Sequence, residues 1–231
     1  MSNNVEQILS LLNGCTNEQR KRIFQHLRAE FPIHPLEVRL NTEAEIILEA
    51  ISRDTQGLTF RMIRGVIAEA AFDIEVVSKL VDWQDITPEG DLPYDFLLDD
   101  GFGSVSVQVK LQRSKNGRPM LASEGYTKLP TNMYVVETQR TRGGKDQVTL
   151  EDTRPYKFGE FDIIAVSMNP STGHWHSFLY TVASWLLPQP DDESKLLKFQ
   201  PVARQPNEDW TDEFMQAVRW LRNGIKKRIK S

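Results

Sequence analysis

Two short apolar runs, separated by a turn-rich pentapeptide, constrain this chain more than any other stretch. The segment reads LPYDFLLDDGFGSVSVQVKLQ. Phe96, Leu97 and Leu98 form the first run, while Val105, Val107, Val109 and Leu111 alternate with polar residues in the second. Between them, Asp99-Asp100-Gly101-Phe102-Gly103 supplies the residue types of a hairpin turn. An antiparallel pair joined there brings Asp95 near Gln108 and Lys110. Those two share a face, because side chains two apart on a strand point the same way. A carboxylate, an amide oxygen and an ammonium meeting at one spot is the set that metal-assisted attack on a phosphodiester requires.

The remaining composition decides what can surround that hairpin. With 231 residues, 39% hydrophobic and 26% charged, the chain can bury a substantial core and reads as an ordinary globular protein. Cys15 is the only cysteine, so an intrachain disulfide and a Cys-rich zinc site are both excluded. The start MSNNVEQILSLLNG lacks a basic region before an apolar run, and no apolar stretch nears the ~20 residues of a membrane span. A cytoplasmic location is expected. The formal net charge of −4 hides an asymmetry: residues 113–145 hold seven bases against two acids, and residues 219–231 hold six bases and none. Acids gather at 82–100 and 191–212. A basic face on an acidic body suits a polyanionic partner.

In chain order, Val5, Ile8, Leu9 and Leu12 predict a first helix ended by Gly14, and Thr16 caps a second over Arg20–Leu27. Pro32 and Pro35 are expected to break the helical pattern after it. A helix over Thr42–Ser52 leads, after an Asp54–Gly57 turn, to the longest one, Thr59 to about Leu80. Its apolar stripe is Phe60, Ile63, Ile67, Ala70, Ile74 and Val77. Glu69 lies in that helix on a mostly apolar face, where a carboxylate needs a partner such as Arg64 or a bound ion. After the hairpin come a basic turn at Lys115-Asn116-Gly117, a strand over 132–138, and a long polar segment over 139–159. A buried strand is expected at 160–168, then a strand or short helix at 176–187. Residues 188–210 read as an irregular connection, and Thr211–Lys230 as an amphipathic helix.

Phosphodiester hydrolysis needs carboxylates to hold a divalent cation and a cationic group beside the attacked phosphate. Asp95 fits the first role, Lys110 the second, and Glu69 can add the second carboxylate that Gln108 does not supply. The order Glu69, then Pro93-Tyr94-Asp95, then Gln108-Val109-Lys110 resembles the PD-(D/E)xK nuclease superfamily. Gln108 departs from its usual acid, as it does in the similar Mrr-like nucleases. The downstream segments YVVETQRTRGGKDQ, TRPYKFGEFDIIAV and TGHW are similar to those of bacterial type II restriction endonucleases, so the resemblance spans roughly 60–190.

That resemblance implies an α/β fold with a restriction-endonuclease-like core, a mixed central sheet flanked by helices and helical additions at both termini. The expected organisation is a single nuclease domain over 1–231, with an N-terminal helical region (1–58), a catalytic core (59–187) and a C-terminal connection with a basic helix (188–231). It also implies a Mg²⁺ cofactor held by Asp95, Gln108 and Glu69, with Lys110 completing the catalytic set, and a bacterial homodimer acting on double-stranded DNA. A cognate DNA methyltransferase would be a functional, non-physical partner. Arg113, Lys115, Arg118, Arg140, Arg142 and Lys145 are the candidate DNA contacts, to bases or phosphates. Two other functions fit the same residues: a DNA-binding protein with a decayed nuclease core, and a structure-specific repair or resolvase nuclease.

Other candidates read more simply. His174 and His176 share a strand face but lack a nearby acid, and Asp162 reads as a hydrogen-bonded acid inside an apolar strand. Asp99-Asp100 reads as solvated turn acids. Gly143-Gly144-Lys145 lacks the spacing of a phosphate-binding loop.

Overall fold

The computed structural model describes residues 3–31, 35–53, 57–140 and 153–230. Pro32, the Asp54–Gln56 part of the expected turn, and Gly143, Gly144, Arg142 and Lys145 lie outside these residues. The chain divides into two compact units, Met1–Arg61 and Met62–Ser231.

In the first unit, helices α1 (Asn3–Gly14), α2 (Asn17–Glu30), α3 (Pro35–Leu40) and α4 (Ala44–Ser52) succeed one another. Thr16 forms a full capping box on α2: its hydroxyl accepts the Gln19 N–H at 3.3 Å, and the Gln19 side chain accepts the Thr16 N–H at 2.8 Å. Pro35 begins α3 instead of ending a helix, because a missing N–H is harmless at the first helical position. The centre of this unit is polar. Arg28 pairs with Glu37 at 2.6 Å and with Glu45, and Glu37 also accepts the Ala44 N–H at 2.7 Å. No described side chain of the unit is buried, and Val5, Ile8, Leu9, Leu11, Phe24 and Leu27 are exposed.

The second unit is built on a five-stranded mixed sheet. Strands β1 (Gln84–Asp85), β2 (Phe96–Asp99) and β3 (Ser104–Leu111) run antiparallel in succession, with Phe96 opposite Val107 and Asp99 opposite Ser104. The hairpin turn relies on Gly101 and Gly103, both at positive φ. β7 (Ile163–Ser167) pairs parallel to β3, and β8 (Phe178–Val182) pairs antiparallel to β7. Every residue of β7 is buried, as a strand covered on both faces must be.

The crossover from β3 to β7 carries a hairpin, β4 (Ser114–Lys115) and β5 (Arg118–Pro119), whose Asn116-Gly117 turn has both φ angles positive. It continues through α6 (Ala122–Gly125) and β6 (Tyr134–Glu137). β6 is the expected strand at 132–138, but it lies in a separate two-stranded sheet with β9 (Phe199–Val202). β9 falls where an irregular connection was expected; Pro201 in its middle masks it. α7 (Asn169–Thr172) turns the chain between β7 and β8.

Helices α5 (Leu58–Glu75) and α8 (Phe214–Arg222) cover one sheet face. The buried side of α5 is Ala68, Ala71 and Phe72, whereas Phe60, Ile67 and Ile74 of the expected stripe are exposed. α8 is shorter than expected: Gly224, at φ 61°, stops it, and the basic residues beyond continue without helix or strand, with Ile229 buried. The opposite sheet face packs Ile164, Val166 and Leu179 against Val136, Tyr156, Trp185 and Trp210.

Candidate active site

The register between β2 and β3 stops at Phe96 opposite Val107. The Asp95 N–H still donates to the Val107 carbonyl at 2.9 Å, but Pro93 has no N–H with which to prolong the ladder. The Asp95 side chain fills the gap, its Oδ2 accepting the Val109 N–H at 2.7 Å. The same oxygen accepts a hydrogen bond from Gln108 Nε2. Gln108 is only 1% exposed. Its Nε2 also reaches the Val109 carbonyl at 3.2 Å, and its Oε1 accepts from the Tyr156 hydroxyl at 3.0 Å. The amide nitrogen, not the oxygen, therefore faces Asp95. A carboxylate can only accept, which fixes this orientation.

Two residues on, Lys110 emerges on the same face and donates from Nζ to the Tyr156 oxygen at 3.3 Å. Its ammonium sits 5.3 Å from the centre of that ring, and the Arg140 guanidinium sits 5.4 Å from it. Glu69 arrives from α5, one turn before Phe72. That ring fixes the helix, meeting Phe96, Phe178, Phe214 and Tyr180 at centroid separations of 5.1, 5.6, 6.0 and 6.3 Å. Glu69 and Asp95 line a cleft of about 310 Å³ together with Thr87, Pro88, Asp91 and Tyr94. No described residue gives Glu69 a hydrogen bond or ion pair.

The charges in this cleft strain one another. Burial, followed by the Asp95 charge, pushes the Glu69 carboxyl up to about 7, against the pull of Lys110. Burial also raises Asp95, opposed by Lys110, the Val109 N–H and the Gln108 amide. Lys110 is lowered by burial, although both carboxylates resist. Burial raises the Tyr156 hydroxyl too, so it stays protonated. Two carboxyl groups whose charged forms are disfavoured by burial are a donor set that a divalent cation would satisfy. Among the described residues no cluster of three or more His, Cys, Asp or Glu side chains could hold a metal alone. Mg²⁺ retains several waters and needs only one or two carboxylates, so the pair is sufficient for that ion.

The basic candidates are all engaged by acids where the structure describes them. Arg113 lies 3.4 Å from Glu137, Lys115 lies 3.8 Å from Glu124, and Arg118 binds both oxygens of Glu124 at 2.7 and 2.8 Å. Arg140 pairs with Glu160 at 2.8 Å and belongs to the site through the Tyr156 ring. Tyr156 itself was not singled out in the sequence. Its one signal was an aromatic residue within the long polar segment after β6. The other candidates sit apart. His174 and His176 stack on each other on the surface at 5.1 Å, and Asp162 accepts from the Ser106 N–H and hydroxyl at 2.9 and 2.7 Å. Asp99 accepts the Gly101 N–H at 2.7 Å, and Asp100 binds Arg222 through both oxygens at 2.8 Å.

No protein-family model matches the chain, and no curated protein sequence does. Among solved structures, a bacterial homing endonuclease, I-Ssp6803I, is similar at 20% identity with a TM-score of 0.38, covering 71% of this chain and 94% of that one. A superposition that loose carries no functional weight, so function has to be argued from the residues of the cleft. No helix of the described residues is long and apolar enough to cross a membrane.

Proposed function

We propose that this chain is a divalent-metal-dependent endonuclease of double-stranded DNA, of the type II restriction kind, working as a cytoplasmic homodimer alongside a methyltransferase that protects host DNA. One observation carries the reading: Glu69 from a helix and Asp95 from a strand start line one cleft, where burial raises both carboxyls, and Lys110 on the adjacent strand is near enough for its charge to act on both. Asp95 and Glu69 would hold Mg²⁺, which when bound supplies charge neutralisation at the phosphate and lowers the pKa of water. Lys110, with Nζ hydrogens left over after Tyr156, orients the attacking water and offsets charge on the phosphoryl oxygens. Gln108 keeps Asp95 Oδ2 in place and leaves Oδ1 for the ion.

Incubating the protein with phage DNA and Mg²⁺ tests this reading. Discrete fragments support it, whereas cutting only at junctions or flaps would make the protein a structure-specific nuclease. The exposed apolar side chains of the N-terminal helices support self-association. A monomer by light scattering at micromolar concentration counts against it.

A second reading, a DNA-binding protein with a decayed core, is favoured by the Gln108 amide nitrogen standing where an acidic ligand would be. It requires sequence-specific binding without cleavage in Mg²⁺ or Mn²⁺.

A further inference from the structure

The Tyr156 hydroxyl touches both Gln108 and Lys110. It has a single hydrogen, and an ammonium can only donate, so the direction of each bond is determined. Lys110 donates to Tyr156 at 3.3 Å, Tyr156 donates to Gln108 Oε1 at 3.0 Å, and Gln108 donates to Asp95. The four side chains form one chain of donors that starts at the ammonium and ends at the carboxylate. Each link depends on its neighbour. If the tyrosine hydroxyl is absent, Gln108 Oε1 loses its donor inside a buried site, and Lys110 loses its hydrogen-bond acceptor among the described side chains.

We propose that Tyr156 is a positioning residue of this site, whose hydroxyl holds the Gln108 amide with its nitrogen on Asp95 and sets where the Lys110 ammonium points. Tyr156 is 4% exposed and wedged at 5.3 Å against Phe161, so it acts through these neighbours and does not touch DNA. The pairing also explains how a glutamine works at this position. A carboxylate at 108 would set an oxygen against Asp95 Oδ2, whereas an amide supplies a donor to Asp95 and an acceptor to Tyr156. The kinetic part of the test rests on the nuclease reading above; the spectroscopic part does not.

The test compares wild type with Tyr156→Phe. In ¹⁵N-labelled protein the Gln108 side-chain amide protons should be protected from exchange. In Tyr156→Phe they should exchange at least about tenfold faster, since a lost hydrogen bond to or beside a charged group is worth that factor or more. The Lys110 Cε resonance should move as well. Cleavage should show kcat lower by about 10- to 100-fold with KM for DNA unchanged. If wild type cuts no DNA but the Gln108 and Lys110 signals shift as stated, the positioning role stands and the nuclease reading fails. Unchanged signals in Tyr156→Phe, or a KM increase at constant kcat, overturn the proposal. Should the variant not fold, wild type still decides: Gln108 amide protons exchanging as fast as those of an exposed glutamine overturn it.

Discussion

Val109 donates its backbone N–H to Oδ2 of Asp95 at 2.7 Å, so the Asp95 side chain occupies the ladder position that a backbone carbonyl would take. The proposed metal-binding carboxylate is thus tied to the sheet that carries Lys110. The register of one hairpin sets the spacing of both groups, and a one-residue slip would turn Gln108 and Lys110 to the other face.

This relationship separates two substitutions that remove the same charge. Asp95→Asn can keep an oxygen on the Val109 N–H, whereas Asp95→Ala leaves that N–H and the Gln108 amide without an acceptor. Asp95→Ala should therefore cost about 1–3 kcal/mol more stability than Asp95→Asn, measured by urea unfolding. Both should lower cleavage by more than about 100-fold, because the metal's contribution is several kcal/mol. Equal stabilities would mean that Asp95 does not cap the strand.

The orientation of α5 places Glu69, and Phe72 sets that orientation. Phe72→Ala should destabilise by about 3–5 kcal/mol. Ile74→Ala, two residues on, should stay within about 0.5 kcal/mol, since Ile74 is 63% exposed. Comparable losses at the two positions would show that the helix is turned the other way.

That helix also marks where the sequence was ambiguous. Apolar residues lie on both of its sides, so Phe60, Ile67 and Ile74 keep helical spacing as regularly as Ala68, Ala71 and Phe72, and only the packing partners decide between them. Local signals were more reliable. The Asp99–Gly103 hairpin, the apolar run of β7 and the Thr16 capping box need only short-range chemistry, and each is where the residues put it. The expectation that Asp95 meets Gln108 and Lys110 came from the hairpin pairing together with the strand period. β9 was hidden because Pro201 stands inside it and its pairing with β6 is a long-range contact, whereas the stop of α8 at Gly224 is a local signal that the apolar stripe overran. Tyr156 was hidden because its partners are 46 and 48 residues away, a distance that no spacing rule spans.

The Asp100–Arg222 pair ties the hairpin turn to the end of α8 and should give an acid-sensitive element. The Arg222 guanidinium holds the Asp100 carboxyl down at about 2, below its unfolded value of roughly 3.9. A depressed carboxyl stabilises above its unfolded pKa and loses that contribution as pH falls through the folded value. Wild type should thus be more stable than Asp100→Asn at pH 6, and the gap should close between about pH 4 and 2 in thermal unfolding. A pH-independent gap would assign the effect to packing.

Glu69 has the opposite sign. Its folded value of about 7 lies above the ordinary 4.5, so the stability tied to its proton is complete below pH 4.5 and is lost as pH rises through 7. In metal-free protein at pH 8 the ionised carboxylate sits beside Asp95 with no partner among the described residues, and Glu69→Gln removes that repulsion. The variant should be more stable than wild type by on the order of 2 kcal/mol at pH 8 and no more stable near pH 4.5. Adding Ca²⁺, which binds oxygen ligands but is a poor substitute for Mg²⁺ in shape, should raise the unfolding temperature of wild type more than that of Glu69→Gln. A residue kept at a cost in stability and recovered by a cation is a functional one. If Glu69→Gln is less stable than wild type at pH 8, Glu69 is a structural acid and the cation must be held by Asp95 without it.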